Sequence, residues 1–84
     1  MKHAGDTSLD LLDDLLADLR GFGGLKEKKR GVFYCKSKAF LHFHEDPAGL
    51  FADLRPDGEW LRLPVNTPAE RATLLAEVER SHRG

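Results

Sequence analysis

Apolar residues recur at helical spacing in the first quarter of the chain and alternate with polar ones through its middle. Leu9, Leu12, Leu15, Leu16 and Leu19 form one stripe, widened by Leu11, and predict an amphipathic helix over residues 8–20. Thr7 or Ser8 suits its N-cap, early aspartates suit its positive end, and Arg20-Gly21 suits its end. Phe22-Gly23-Gly24 then predicts a flexible connector, and its two glycines lack the spacing of a phosphate loop. The period changes to two at residues 31–36 and 38–44, which are rich in aromatic and branched side chains and flank a short Lys36-Ser37-Lys38 turn. Further strands are expected from Gly49 to Arg55 and from Trp60 to Val65, separated by the Pro56-Asp57-Gly58 turn. Thr67, Pro68 and Glu70 make a capping box with proline at the first helical position, so a second helix follows, with Leu74, Leu75 and Val78 on its apolar side.

The strands can be checked against one another. Side chains alternate between the two faces of a sheet, and an even-length loop pairs residues whose numbers sum to an odd value. Even loops at all three hairpins place Val32, Tyr34, Ala39, Leu41, Phe43, Leu50, Ala52, Leu54, Leu61 and Leu63 on one apolar face. The expected fold is therefore α+β: a two-layer sandwich in the order αββββα, a four-stranded antiparallel meander with both helices on the leucine-rich face. The opposite face is expected to carry Phe33, Cys35, Phe40, His42, His44, Phe51, Asp53, Trp60 and Arg62.

Length and composition narrow the class. Eighty-four residues make one domain, expected to fray at 1–6 and 82–84, and such a chain buries only about 60–65% of its unfolded surface. Cys35 is the only cysteine, which suits a reducing compartment and excludes a cysteine-based zinc site within one chain. Neither an apolar signal-like segment at the N-terminus nor a run of the roughly 18–20 apolar residues that spans a membrane is visible, so a cytoplasmic location is expected. The net charge of −1 gives no bulk signal for nucleic acid. Locally, Asp6, Asp10, Asp13, Asp14 and Asp18 oppose Lys26, Lys28, Lys29 and Arg30, a pattern that most simply marks a solvated helix face and a solvated loop.

The face bearing Phe33, Phe40, His42, His44, Phe51, Asp53, Trp60 and Arg62 is where function is expected. It is too aromatic for a bare, solvated sheet surface, and Arg and aromatics are enriched at protein contacts. The leading expectation is a non-enzymatic interaction module that forms a homodimer, sheet face on sheet face, or meets another protein there. A helix or the 21–30 loop folding over the same face is the internal alternative. A metal site is the sharpest chemical alternative: His42 and His44 point the same way and Asp53 lies on the next strand, a set that suits Zn²⁺ or Fe²⁺. Against it, His-x-His arises often by chance and Asp53 is expected to pair nearer Arg62 or Trp60 than the histidines. Single-stranded nucleic acid stacking on the aromatics is a third reading, disfavoured by the shortage of cations on the face. Cys35 with His42 as nucleophile and base, and Glu45-Asp46 as an acid–base pair, compete with a buried thiol and ordinary turn chemistry. No catalytic residue and no cofactor is expected.

The stretch Gly31-Val32-Phe33-Tyr34-Cys35-Lys36-Ser37-Lys38-Ala39-Phe40-Leu41-His42-Phe43-His44-Glu45-Asp46, followed by Gly49 to Leu54, resembles a family of small bacterial proteins of unknown function. It is also distantly similar to the central hairpin of the YjbR-like family, which has a CyaY-like α+β fold. The similarity covers about residues 31–55 and its motif is structural. It implies a sheet-and-helix fold and carries over neither an enzyme activity nor a catalytic residue.

Overall fold

A computed structural model describes residues 2–83 and is α+β, with an antiparallel sheet and helices packed on one of its faces. The elements run β1 (Lys2–His3), α1 (Asp6–Leu11), α2 (Asp13–Arg20), β2 (Leu25–Lys29), β3 (Val32–Cys35), β4 (Lys38–Asp46), β5 (Gly49–Leu54), β6 (Leu61–Pro64) and α3 (Pro68–Arg83). The sheet has six strands, five in the order β2-β3-β4-β5-β6 with β1 added beside β4, where four were expected.

The extra strands come from segments without strand-like apolar alternation. β2 reads Leu-Lys-Glu-Lys-Lys and occupies the place assigned to a basic loop. It pairs with β3 through Leu25–Cys35, Lys26–Tyr34 and Glu27–Phe33, and its exposed lysines lie on an outer edge, where charge discourages pairing with another chain. At the turn into β3, Gly31 has φ of +78°, and a Cβ there would lie 2.7 Å from Leu9 Cδ2. Glycine therefore lets α1 approach the hairpin. β1 was expected to be frayed chain. Instead Lys2 and His3 pair with Glu45 and His44, on the edge of β4 that β3 has already left.

The first helix is broken at Leu12, whose φ of −101° and ψ of 12° separate α1 from α2. The break keeps Leu9, Leu12, Leu15, Leu16 and Leu19 all facing the sheet, while Leu11, expected to widen the stripe, is 66% exposed. Neither Thr7 nor Ser8 caps α1. Gly5 is the N-cap, and the Glu45 carboxylate accepts from the Gly5 N–H and the Ser8 hydroxyl. α3 does start with the expected box: Glu70 N–H donates to Thr67 Oγ1, and Glu70 Oε1 accepts from the Thr67 and Asn66 N–H groups.

Both helical segments cover the face formed by Leu41, Phe43, Ala52 and Leu54, as parity predicts for β4 and β5. β3 departs from that parity. Phe33 pairs with Leu41 whereas Tyr34 pairs with Ala39, so Phe40 is an additional residue in β4, a β-bulge. The bulge reverses the facing of β3. Phe33 enters the core with 0% exposure and Cys35 packs against it, whereas Val32 and Tyr34 point the other way. Phe40 itself is also a core residue, 6% exposed. Both phenylalanines were expected on the opposite, working face.

Two measurements follow from this packing. Phe33→Ala should lower the unfolding free energy by about 3–5 kcal/mol in urea titration, and Tyr34→Ala should cost clearly less. Unbroken parity between β3 and β4 requires the reverse ranking. The β3–β4 turn places two non-glycine residues in the left-handed region, Lys36 at φ 53° and Ser37 at φ 68°. The double change Lys36→Asn, Ser37→Gly should raise stability by about 1 kcal/mol, because Asn-Gly suits this turn.

Candidate functional site

The uncovered face of the sheet is polar at its centre. β4 presents His42 and His44 on this face because Leu41 and Phe43 take the core side. β5 presents Asp53 between them and β6, since Asp53 is the direct partner of His42 on one side and of Arg62 on the other. β1 brings His3 directly beside His44. Trp60, just before β6, stands edge-on to His42 with ring centroids 4.7 Å apart, and the Arg55 guanidinium lies 4.9 Å from the indole centroid.

Asp53 anchors the group. It is 6% exposed, and a carboxylate so placed needs partners to stay ionised. Arg62 supplies a two-pronged pair, Nε to Oδ1 at 2.8 Å and Nη2 to Oδ2 at 3.0 Å. His44 Nε2 lies 3.1 Å from the same Oδ2. Burial alone would raise the Asp53 pKa, but the Arg62 bonds and charge, with smaller help from His44 and His42, hold it below the usual carboxylate value. Burial lowers the pKa of both His42 and His44. For His42 the neighbouring His44 lowers it further, and for both residues Asp53 opposes the shift without reversing it. Both imidazoles are thereby biased to the neutral form, which is the form that binds metals.

The three imidazoles converge. His44 Nε2 is 2.9 Å from His42 Nδ1, the His3 ring stacks on the His44 ring at 4.8 Å and 27°, and one ring nitrogen from each of His3, His42 and His44 lies within 4.8 Å of the others. His44 Nε2 thus faces both an imidazole nitrogen and a carboxylate oxygen, and one proton on it cannot serve both fully. His44 Nδ1 is buried with no hydrogen-bond partner among the described residues. A tetrahedral ion with bonds of 2.0–2.1 Å separates its donors by about 3.3–3.4 Å, close to the 2.9 and 3.1 Å found around His44 Nε2, whereas the three imidazole nitrogens, spread over 4.8 Å, must draw closer to share one ion.

Of the residues expected on this face, His42, His44, Asp53, Arg62, Trp60 and the half-buried Phe51 are there, and Phe33 and Phe40 are not. Asp53 does pair with Arg62, as expected, yet it also reaches His44, so the objection to a joint histidine–carboxylate site does not hold. Cys35 is on the core side and is not brought to His42. Glu45 is occupied with Lys2, Gly5 and Ser8, and Asp46 accepts from the Ala48 N–H in an ordinary turn. His3 is the residue that sequence reasoning missed. No periodicity or motif links position 3 to position 44, and only the pairing of β1 reveals it.

Comparison with family models, curated proteins and solved structures finds no match. Among the described residues, no helix is long and apolar enough to cross a membrane.

The Asp53 pair yields a test of the anchor. Arg62→Ala leaves a buried carboxylate short of its main partner, so it should lower the urea midpoint more than Arg20→Ala, which breaks an exposed pair with Glu27. Adding Asp53→Ala to Arg62→Ala should restore part of the loss, because the unpaired charge goes with it.

Proposed function

We propose that this chain binds a divalent transition-metal ion on the uncovered face of its sheet, with His3, His42 and His44 as donors and Asp53 as the adjacent negative charge. The observation that carries the reading is the convergence of three imidazole nitrogens within 4.8 Å beside a carboxylate fixed by Arg62. Imidazole-rich sets suit Zn²⁺, Ni²⁺, Cu²⁺ and Fe²⁺, with geometry and supply choosing among them. Two donors stand on β4, which pairs with β5 continuously from Leu41 to Asp46, so their positions are set before any ion arrives. Titration of untagged Cys35→Ser protein with Zn²⁺ and Ni²⁺ should show saturable binding below about 10 μM and, at a hundredfold excess over Kd, stabilise the fold by about 2.7 kcal/mol. His42→Ala and His44→Ala should abolish both effects. Binding of equal strength in those variants, or none in the parent, defeats the reading.

Self-association is a second reading, and a smaller one than the sequence suggests. Two of the four aromatics expected at the interface, Phe33 and Phe40, are spent in the core. What favours it is Trp60, 43% exposed on the open face just before the outer strand β6. Light scattering on a sizing column should then show a concentration-dependent dimer that Trp60→Ala weakens. A strict monomer at high micromolar concentration excludes it.

A further inference from the structure

The three donors are not held alike. His42 and His44 lie inside a nine-residue strand, whereas His3 belongs to a strand of two residues at the start of the chain. β1 is kept in place by its two pairings with β4, by the Ala4 N–H donating to the Phe43 carbonyl at 3.1 Å, and by a 3.5 Å contact of the Lys2 ammonium with Glu45. Lys2 is 80% exposed, and ion pairs of that kind add little. Strands this short, with both residues exposed, open at small free-energy cost. β1 meets the candidate metal site chiefly through His3, whose ring stacks on His44 and lies tilted beside His42 with centroids 5.6 Å apart.

We infer that metal occupancy and docking of the N-terminal strand are one coupled equilibrium, with His3 as the ligand that closes the site. The inference rests on the metal-binding reading above. An ion held by His42 and His44 gains a third donor only when β1 lies beside β4. By linkage, the ion then favours the docked strand by the same factor that docking adds to affinity. Release of the ion frees β1, and the edge of β4 from Phe43 to Glu45 loses the partner it has on that side among the described residues. An unpaired edge of this kind can accept another strand, so occupancy by the metal governs whether that edge is open.

The Ala4 amide reports docking directly, because it donates to Phe43. Its hydrogen exchange is measured by NMR with and without saturating Zn²⁺, and Zn²⁺ affinity is measured for the parent and for His3→Ala. Zn²⁺ should slow Ala4 exchange about tenfold or more, and His3→Ala should weaken Zn²⁺ binding by the same factor. In His3→Ala, Zn²⁺ should no longer protect Ala4, while amides in the centre of β4 keep their protection, showing that the variant is folded. Zn²⁺ that binds the parent tightly without slowing Ala4 exchange overturns the coupling and leaves the metal site standing. The same holds if His3→Ala retains full affinity. Failure of the parent to bind Zn²⁺ removes both.

Discussion

The arrangement depends on how Arg55 holds the bulge at Phe40. Its backbone N–H donates to the Phe40 carbonyl at 2.8 Å, and its guanidinium donates to the Ala39 carbonyl at 2.6 Å. A bulge leaves backbone groups without ladder partners, and here one residue of the next strand region supplies two of them. The same guanidinium lies over Trp60, which stands against His42. One side chain therefore fixes the strand irregularity that fills the core and the aromatic wall beside the histidines.

The bulge divides the aromatics between two tasks. It swings β3 so that Phe33 and Cys35 join the helices, and it draws Phe40 inward as well. A domain this small needs that volume in its core, since few large side chains are available elsewhere. The cost is a working face with fewer aromatics than simple alternation would place there. What remains at its centre is polar: His3, His42, His44, Asp53 and Arg62. Part of the charge in the first third of the chain is paired elsewhere. Arg30 bridges to Asp10 and Asp13, and Arg20 meets Glu27, so ion pairs of both polarities join the helices to the β2–β3 hairpin.

Much of this was legible in the residues. The pairing of β4 with β5 and of β5 with β6 keeps an odd sum throughout, so parity correctly set Leu41, Phe43, Ala52 and Leu54 against His42, His44 and Asp53. The α3 cap was equally plain in Thr67, Pro68 and Glu70. The failures share a cause: they are decided by contacts distant in sequence. A bulge adds one residue to a strand and leaves no mark in its composition. β2 has one leucine and three lysines and is a strand because β3 offers it a ladder. β1 has two residues, and its partner lies about forty positions away. Leu12 breaks a helix whose apolar period runs straight through it, because the leucine stripe must follow the sheet and not an ideal axis.

The polar centre of the open face is difficult to explain by stability alone. A buried carboxylate paired with arginine is seldom more favourable than well-packed apolar groups of the same size. Three imidazoles crowd beside it, His3 stacked on His44 and His42 tilted against both. Alternation leaves no freedom to hide these residues, since a one-residue slip of β4 would send His42 and His44 into the leucine core and Leu41 and Phe43 into solvent. The histidines are therefore fixed in place by the same periodicity that builds the core. A polar cluster held there by alternation, and not called for by stability, is what the proposed binding of an ion would account for. Its members are three histidines whose ring nitrogens converge beside a carboxylate.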